Sequence, residues 1–409
     1  MSIHNPENKE CELCNTIDDN VPNHAPAIEE EFLYYINKEE PMDYERQLME
    51  KYYDRIQAVL SRKAIPPYEL EIQPTSYCNL TCGHCIGRFY ERLPSIMTFE
   101  DMQEINHQVQ EFQVDGYKID NIKFCGTTGE PLMNPATLDG LELFKKSGYK
   151  TILFTNGILL NSKTRDDKQY FEVIAKYTDK LNLSLDADSE DTFIRLKGRS
   201  GFGKAISGLE NLLLARDESK HHVVVSYVIS KYNYDGIIRI AELLKRLGPD
   251  ELWYRVDFTN LQDIKELSEK IINDLDIAKG LSDKNFRVVP VYSQNSISKG
   301  SNGFDSTYMR CYNQFFWACI GPDMDLYACG HRTHSGIQSF GNLRKSNLKE
   351  LWIGNKRDRC INNLPDNHCS VCSPSSTRRN EFMTFLSTLT EKQMDDLHKK
   401  YFKKESSFA

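Results

Sequence analysis

Three cysteines stand close together in the run Tyr77-Cys78-Asn79-Leu80-Thr81-Cys82-Gly83-His84-Cys85. Thiolates are soft ligands, so three of them in eight residues suggest a metal centre. Two such centres fit. One is a tetrahedral zinc, with His84 squeezed in as a fourth ligand. The other is a cubane of four irons held by three thiolates, leaving one iron open to a small chelating ligand. A second set follows much later. Cys311 and Cys329 lie 18 residues apart, and Cys369-x-x-Cys372 completes a possible foursome. The chain holds 12 cysteines in all. Cys11-x-x-Cys14, with His24 nearby, is a weaker candidate metal site, and Cys125, Cys319 and Cys360 stand singly. Cysteines in a large chain without a secretory leader read as metal ligands or reactive thiols rather than disulfides.

The elements that must position these residues can be read from periodicity. Residues 1–65 are polar and end in a helical pattern over 42–64, with Leu48, Tyr52, Ile56, Val59 and Leu60 on one stripe, closed by Pro66-Pro67. From 66 to 292, six short apolar strands (68–73, 121–125, 150–155, 181–186, 222–229 and 252–257) alternate with amphipathic helices such as 138–147 and 237–247. Gly148 and Gly248 close those two helices. Six βα repeats predict a parallel sheet, open or curved into part of a barrel, with chemistry at the C-terminal strand ends. The first cysteine run directly follows strand one. A Ser, Asn and Gly-rich loop at 293–306 marks a boundary. Residues 307–375 hold six cysteines, with a hairpin around 318–320 and 326–328 carrying Cys329. A helix over 381–401 ends the pattern, within a segment 376–409.

Cys-x3-Cys-x2-Cys after strand one resembles the radical S-adenosylmethionine (SAM) superfamily. Other segments fit the same resemblance. Gly126-Thr127-Thr128-Gly129-Glu130-Pro131 follows strand two, Thr155-Asn156-Gly157 ends strand three, and Ser184-Leu185-Asp186 ends strand four. The resemblance implies an α/β fold, a partial (β/α)6 TIM-like barrel. It further implies a [4Fe–4S] cluster on Cys78, Cys82 and Cys85, and SAM as its partner. Gly129 and the Glu130 region would meet the SAM amino group. Ser184 would contact the carboxylate or ribose, with Asn156 and Asp186 nearby. Arg195, Lys197 or Arg199 would pair with the carboxylate. The glycine motif of strand five in that family is not visible in 223–233.

Residues 307–375, including Phe340-Gly341-Asn342-Leu343 and 348–352, resemble the SPASM/twitch extension of that superfamily. This implies a second, auxiliary [4Fe–4S] cluster on Cys311, Cys329, Cys369 and Cys372. A structural zinc is the alternative. The expected activity is reductive cleavage of SAM to a 5′-deoxyadenosyl radical, which takes a hydrogen atom from an unactivated carbon. The expected substrate is a carbohydrate or cyclitol, dehydrogenated or epimerised, with maturation of a ribosomally made peptide as the second reading. A non-catalytic iron–sulfur protein is the reading from another class. Cys125, at the end of strand two, is a candidate hydrogen donor or a small pocket-filling residue. His331 and His334 line the pocket or cap a loop. The resemblance implies a flavodoxin or ferredoxin as electron donor.

Composition narrows the partners. With 51 basic and 59 acidic residues the net charge is −8, which gives no electrostatic ground for nucleic-acid binding. No apolar run approaches the roughly 18–20 residues that span a bilayer. The polar start MSIHNPENKE lacks the layout of a secretory signal. A cytoplasmic protein without a membrane anchor is therefore expected.

Overall fold

The computed structural model describes residues 33, 36, 43–88, 91–257, 259–291, 310–366, 369, 372 and 374–402. Cys11, Cys14, His24 and the 293–306 loop lie outside them. The described residues belong to two units, one of 65–380 and one formed by both ends of the chain, 1–64 and 381–409.

The larger unit is built on one ten-stranded sheet. Its strands are β1 (Glu69–Ile72), β2 (Asn121–Phe124), β3 (Lys150–Thr155), β4 (Lys180–Ser184), β5 (His222–Ile229), β6 (Glu251–Val256), β7 (Arg287–Pro290), β8 (Trp317–Ile320), β9 (Asp325–Tyr327) and β10 (Gly341–Asn342). β1 to β7 run parallel in sequence order, so all six expected strands are present in the expected order. β7 was not anticipated; its apolar run is short and closed by Pro290. β8 pairs parallel to β1, with Glu71 opposite Cys319, and then turns back antiparallel into β9 and β10. The cysteine-rich hairpin therefore continues the barrel sheet.

Alternation decides which residues face where. Leu70, Ile122, Leu181, Val225, Leu252 and Ile320 belong to the hydrophobic core under the helices. Glu71, Lys123, Asn182, Ser226, Trp253 and Cys319 alternate with them, so the opposite, inner face of the sheet is polar. The helices 136–146 and 237–247 end as expected, with Gly148 at φ +88° and Gly248 at φ +86°. The left-handed turn suits a residue without Cβ.

In the terminal unit, helix Asp43–Lys51 and helix Tyr53–Leu60 replace the single expected helix. The interruption is slight, since Tyr52 N–H still reaches the Leu48 carbonyl at 3.1 Å. The helix ends well before Pro66-Pro67. Arg62 turns left-handed at φ +60° and Lys63 N–H returns to the Ala58 carbonyl at 2.9 Å. The final helix is also two, Pro374–Leu386, whose first seven residues belong to the larger unit, and Glu391–Phe402. Thr390 starts the second: its hydroxyl accepts Gln393 N–H (3.3 Å) and the Gln393 side chain accepts Thr390 N–H (3.0 Å). Thr-x-x-Gln is a capping-box signal present in the sequence and overlooked there. Tyr53 stacks on His398 at 3.7 Å and donates to Asp395 at 2.6 Å. Among the described residues no helix is long and apolar enough to cross a membrane.

Candidate active site

The first cysteine run leaves the C-terminal end of β1 and docks on the end of helix Glu190–Lys197. Thr81 N–H donates to the Lys197 carbonyl (3.1 Å) and Gly83 N–H to the Leu196 carbonyl (2.8 Å). Gly198, at φ +76°, makes this approach possible: a Cβ there would lie 2.2 Å from Thr81 Oγ1. Cys78, Cys82 and Cys85 are all half-buried. Burial pushes the Cys78 thiol up to about 11, and Glu130, Cys82 and Cys85 push it the same way. Burial also raises Cys82, against the pull of the Lys197 ammonium. Cys78 and Cys82, both raised by burial, become thiolates readily only beside a strong cationic centre. The donor set therefore fits the open-iron cubane. Among the described residues no three His, Cys, Asp or Glu side chains converge enough to hold a single ion. His84 turns its Nε2 to Asp186 Oδ2 at 3.3 Å.

The Gly-Glu-Pro turn after β2 packs directly on this loop. Glu130 N–H donates to the Tyr77 carbonyl (2.8 Å), and the Cys85 sulfur lies 3.8 Å from the Thr127 carbonyl oxygen. A Cβ on Gly129 would sit 2.1 Å from the Thr75 carbonyl oxygen, and one on Gly126 2.2 Å from that of Gly129. The buried Glu130 carboxylate is occupied within the protein. It accepts from Thr155 Oγ1 (2.6 Å), Asn156 N–H (2.8 Å) and Leu132 N–H (3.1 Å). It thus ties the β2 loop to the end of β3. Asn156 in turn donates to Asn79 Oδ1 at 2.8 Å, next to Cys78. Gly129→Ala is expected to displace backbone on both loops. SAM affinity should fall at least about tenfold, roughly 1.4 kcal/mol, while the protein still folds; an unchanged SAM titration would contradict this packing argument.

The end of β4 carries the most heavily bonded group of the site. Asp186 is buried and takes a left-handed conformation, φ +57°. Its carboxylate pairs with the buried Lys197 ammonium, faces His84 and accepts Val228 N–H at 2.8 Å. Despite burial, Lys197 and His84 hold its carboxyl well below the usual range. Lys197 also donates to the Ser184 carbonyl at 3.2 Å. Ser184 is half-buried on the inner face. Arg195 and Arg199 are exposed, and Arg195 reaches the Tyr232 carbonyl at 3.4 Å. The cation brought to the cysteine loop is Lys197. Asn233, overlooked in the sequence, sets the turn after β5. Fully buried, it donates to the Asp186 and Val228 carbonyls, both at 2.8 Å, and accepts Ser230 N–H at 2.7 Å.

The second set of cysteines also assembles. Burial and the neighbouring Cys311, Cys369 and Cys372 all raise the Cys329 thiol. Arg332 forks onto Asp366 at 2.7 and 2.8 Å, with Nη1 3.6 Å from the Cys369 sulfur. Asn380 Nδ2 lies 3.9 Å from the Cys311 sulfur. Gln73, another residue missed, joins the two sites. Its amide donates to Thr127 Oγ1 (2.9 Å) and the Gly330 carbonyl (3.1 Å) and accepts from Thr333 Oγ1 (2.7 Å). Cys125 and Cys319 share the environment of Glu71 and Lys123, and Cys319 donates to Glu71 Oε1 at 3.7 Å. Burial raises Cys125 to about 12. Cys360 packs against the core, and His334 is buried with Nδ1 3.0 Å from the Ser335 carbonyl.

Residues 72–248 match the family model described as the radical SAM superfamily. A radical SAM domain thus occupies residues 72–248 of the chain. Its cofactors are accordingly a [4Fe–4S] cluster and SAM. Curated relatives are distant. A protein named "Probable GTP 3′,8-cyclase" from Saccharolobus islandicus is 26% identical over 239 residues, 56% of this chain and 72% of that protein. The tungsten-containing aldehyde ferredoxin oxidoreductase cofactor-modifying protein of Pyrococcus furiosus is 24% identical over 306 residues, 70% of this chain and 81% of that one. Among solved structures, Streptococcus suis SuiB bound to the precursor peptide SuiA superposes with a TM-score of 0.56 at 18% identity, over 79% of this chain and 74% of that one. A tagged anSMEcpe with bound AdoMet superposes with a TM-score of 0.54 at 16% identity, over 82% and 99%. These likenesses bear out the partial (β/α)6 barrel.

Proposed function

We propose that Cys78, Cys82 and Cys85 hold the SAM-cleaving cluster and that Cys311, Cys329, Cys369 and Cys372 hold an auxiliary one, in an enzyme that takes a hydrogen atom from an unactivated C–H bond. The observation that carries this reading is the docking of the cysteine loop, the Gly-Glu-Pro turn and the β4 end on one another at the C-terminal strand ends. Once bound and reduced, the first cluster supplies the electron that cleaves SAM. The protein's own residues do the positioning. The backbone of 126–129 is the part of the turn left for the SAM amino group, because the Glu130 carboxylate is already occupied. Ser184 presents a hydroxyl beside Lys197, within reach of the SAM carboxylate or ribose. Asp186 and Asn156 brace these loops, and Arg195 and Arg199 stand at the exposed rim. The chamber is the polar inner face between the two cysteine sets, where Cys125 and Cys319 lie as candidate hydrogen donors. A flavodoxin or ferredoxin in the cytoplasm would supply the electron.

A carbohydrate or cyclitol substrate finds no support among the relatives, whose names refer to a GTP cyclase, a cofactor modification and a peptide complex. A peptide substrate is the second reading, favoured by the likeness to the SuiB–SuiA complex. The decisive experiment is anaerobic reconstitution with iron and sulfide, then dithionite and SAM. Formation of 5′-deoxyadenosine and methionine is expected. Full iron content with neither product would refute the enzyme reading and leave a non-catalytic iron–sulfur protein.

A further inference from the structure

We infer that Arg255 is the anchor for a carboxylate or phosphate group of the substrate, on the inner wall formed by β4, β5 and β6. The inference rests on the reading of the inner face as the reaction chamber. The strand register sets Ser184 beside Ser226, Ser226 beside Trp253, and Val228 beside Arg255. Their chain neighbours Leu183, Tyr227 and Tyr254 lie in the hydrophobic core, so these side chains face inward. Most cations on this face and at the strand ends are neutralised by the protein itself. Lys123 pairs with Glu69 (3.2 Å) and Glu71 (2.6 Å), Lys197 with Asp186, and Arg287 with Glu251 (2.9 Å). Arg255 is different. It is half-buried, its Nε is buried without a hydrogen-bond partner, and no carboxylate among the described residues pairs with it. Its guanidinium carbon lies 5.4 Å from the Trp253 ring centroid, and Lys180 Nζ lies 4.2 Å from the same ring. The indole thus holds the guanidinium in place without cancelling its charge.

A second observation on the same wall points the same way. Asn182 is fully buried; its Oδ1 accepts from Ser226 Oγ at 2.8 Å, and its Nδ2 has no partner. A guanidinium fork and an amide N–H₂ are both donors. Leaving the buried Arg255 Nε unsatisfied costs free energy that an anion would recover, and the planar fork suits a carboxylate or phosphate; Asn182, four residues deeper by register, adds an unsatisfied donor to the same wall rather than to the same contact. A neutral polyol would satisfy hydroxyl-sized donors but leave the guanidinium charge uncompensated.

The test is equilibrium dialysis of the reconstituted holoprotein, saturated with SAM, against labelled inorganic pyrophosphate and labelled succinate. At least one anion is expected to be retained. Retained pyrophosphate marks a phosphate-bearing substrate, and retained succinate a carboxylate-bearing one. Arg255→Met should weaken that retention at least tenfold, Arg255→Lys should restore part of it, and Arg246→Met, an exposed control, should leave it intact. Retention of neither anion, or equal retention by Arg255→Met, overturns the inference. So does a tenfold loss of SAM affinity in Arg255→Met, which would assign the guanidinium to the SAM carboxylate instead. If wild type makes 5′-deoxyadenosine yet retains neither anion, only this inference fails. If it makes none at full iron content, the underlying reading of the site fails.

Discussion

Replacing Cys78, Cys82 and Cys85 together by alanine is expected to lower iron from roughly eight to about four per chain and to abolish 5′-deoxyadenosine formation. Fold and cofactor are separable in this loop. The three thiols are half-buried in a loop held by backbone bonds to the end of helix 190–197, and those bonds do not involve sulfur. The apoprotein should therefore melt near the wild-type temperature. The four irons that remain should be those of the second set, because Cys329 and its three neighbours lie on other elements. Iron analysis and product chromatography on the same anaerobic sample provide the check. A variant that keeps all its iron, or that still cleaves SAM, would show that another set of ligands holds the catalytic cluster.

Asp186→Ala is expected to cost about 3–5 kcal/mol of folding stability, because it strands the buried Lys197 ammonium without its counter-charge. Val228 N–H and His84 lose a partner as well. Replacing both members, Asp186→Ala with Lys197→Met, should recover much of that loss, since it leaves neither charge buried without its partner. The pH dependence follows from the directions of the shifts. Asp186 is depressed in the folded state, so its contribution is fully present above its unfolded value near ~3.9 and fades as the pH falls towards the folded one. Lys197 is raised, so its contribution is present below ~10.4 and is lost as the pH rises through the folded value. Urea unfolding at pH 7 should therefore separate wild type from Asp186→Ala most clearly, with the gap narrowing in strong acid. A single-variant cost below about 1 kcal/mol, or a double variant no more stable than the single, would show that the pair is exposed to water.

These two predictions differ in how far the sequence could have supported them. The trio is legible because its ligands sit within eight residues and follow a strand whose alternation is equally local. The role of Asp186 is not. Its likeness to a SAM-contacting position suggests a ligand contact, whereas the folded chain commits the carboxylate to Lys197, His84 and Val228. Glu130 behaves in the same way: the Gly-Glu-Pro turn is plain in the sequence, but the engagement of its carboxylate by Thr155 and Asn156 depends on β3 lying beside β2.

The sequence by itself determined the cysteine spacings, six of the strands, and the left-handed ends at Gly148 and Gly248. It also held the Thr390-x-x-Gln393 start that the helical stripe concealed. All of these rest on interactions within a few residues of chain. Only the tertiary structure decided that β8 pairs beside β1 and that Lys197 rather than Arg195 or Arg199 reaches the cysteine loop. It alone leaves the buried Arg255 Nε without a hydrogen-bond partner among the described residues. Sheet pairing and charge neutrality are settled between groups tens to hundreds of residues apart, and no local pattern records which partner is absent.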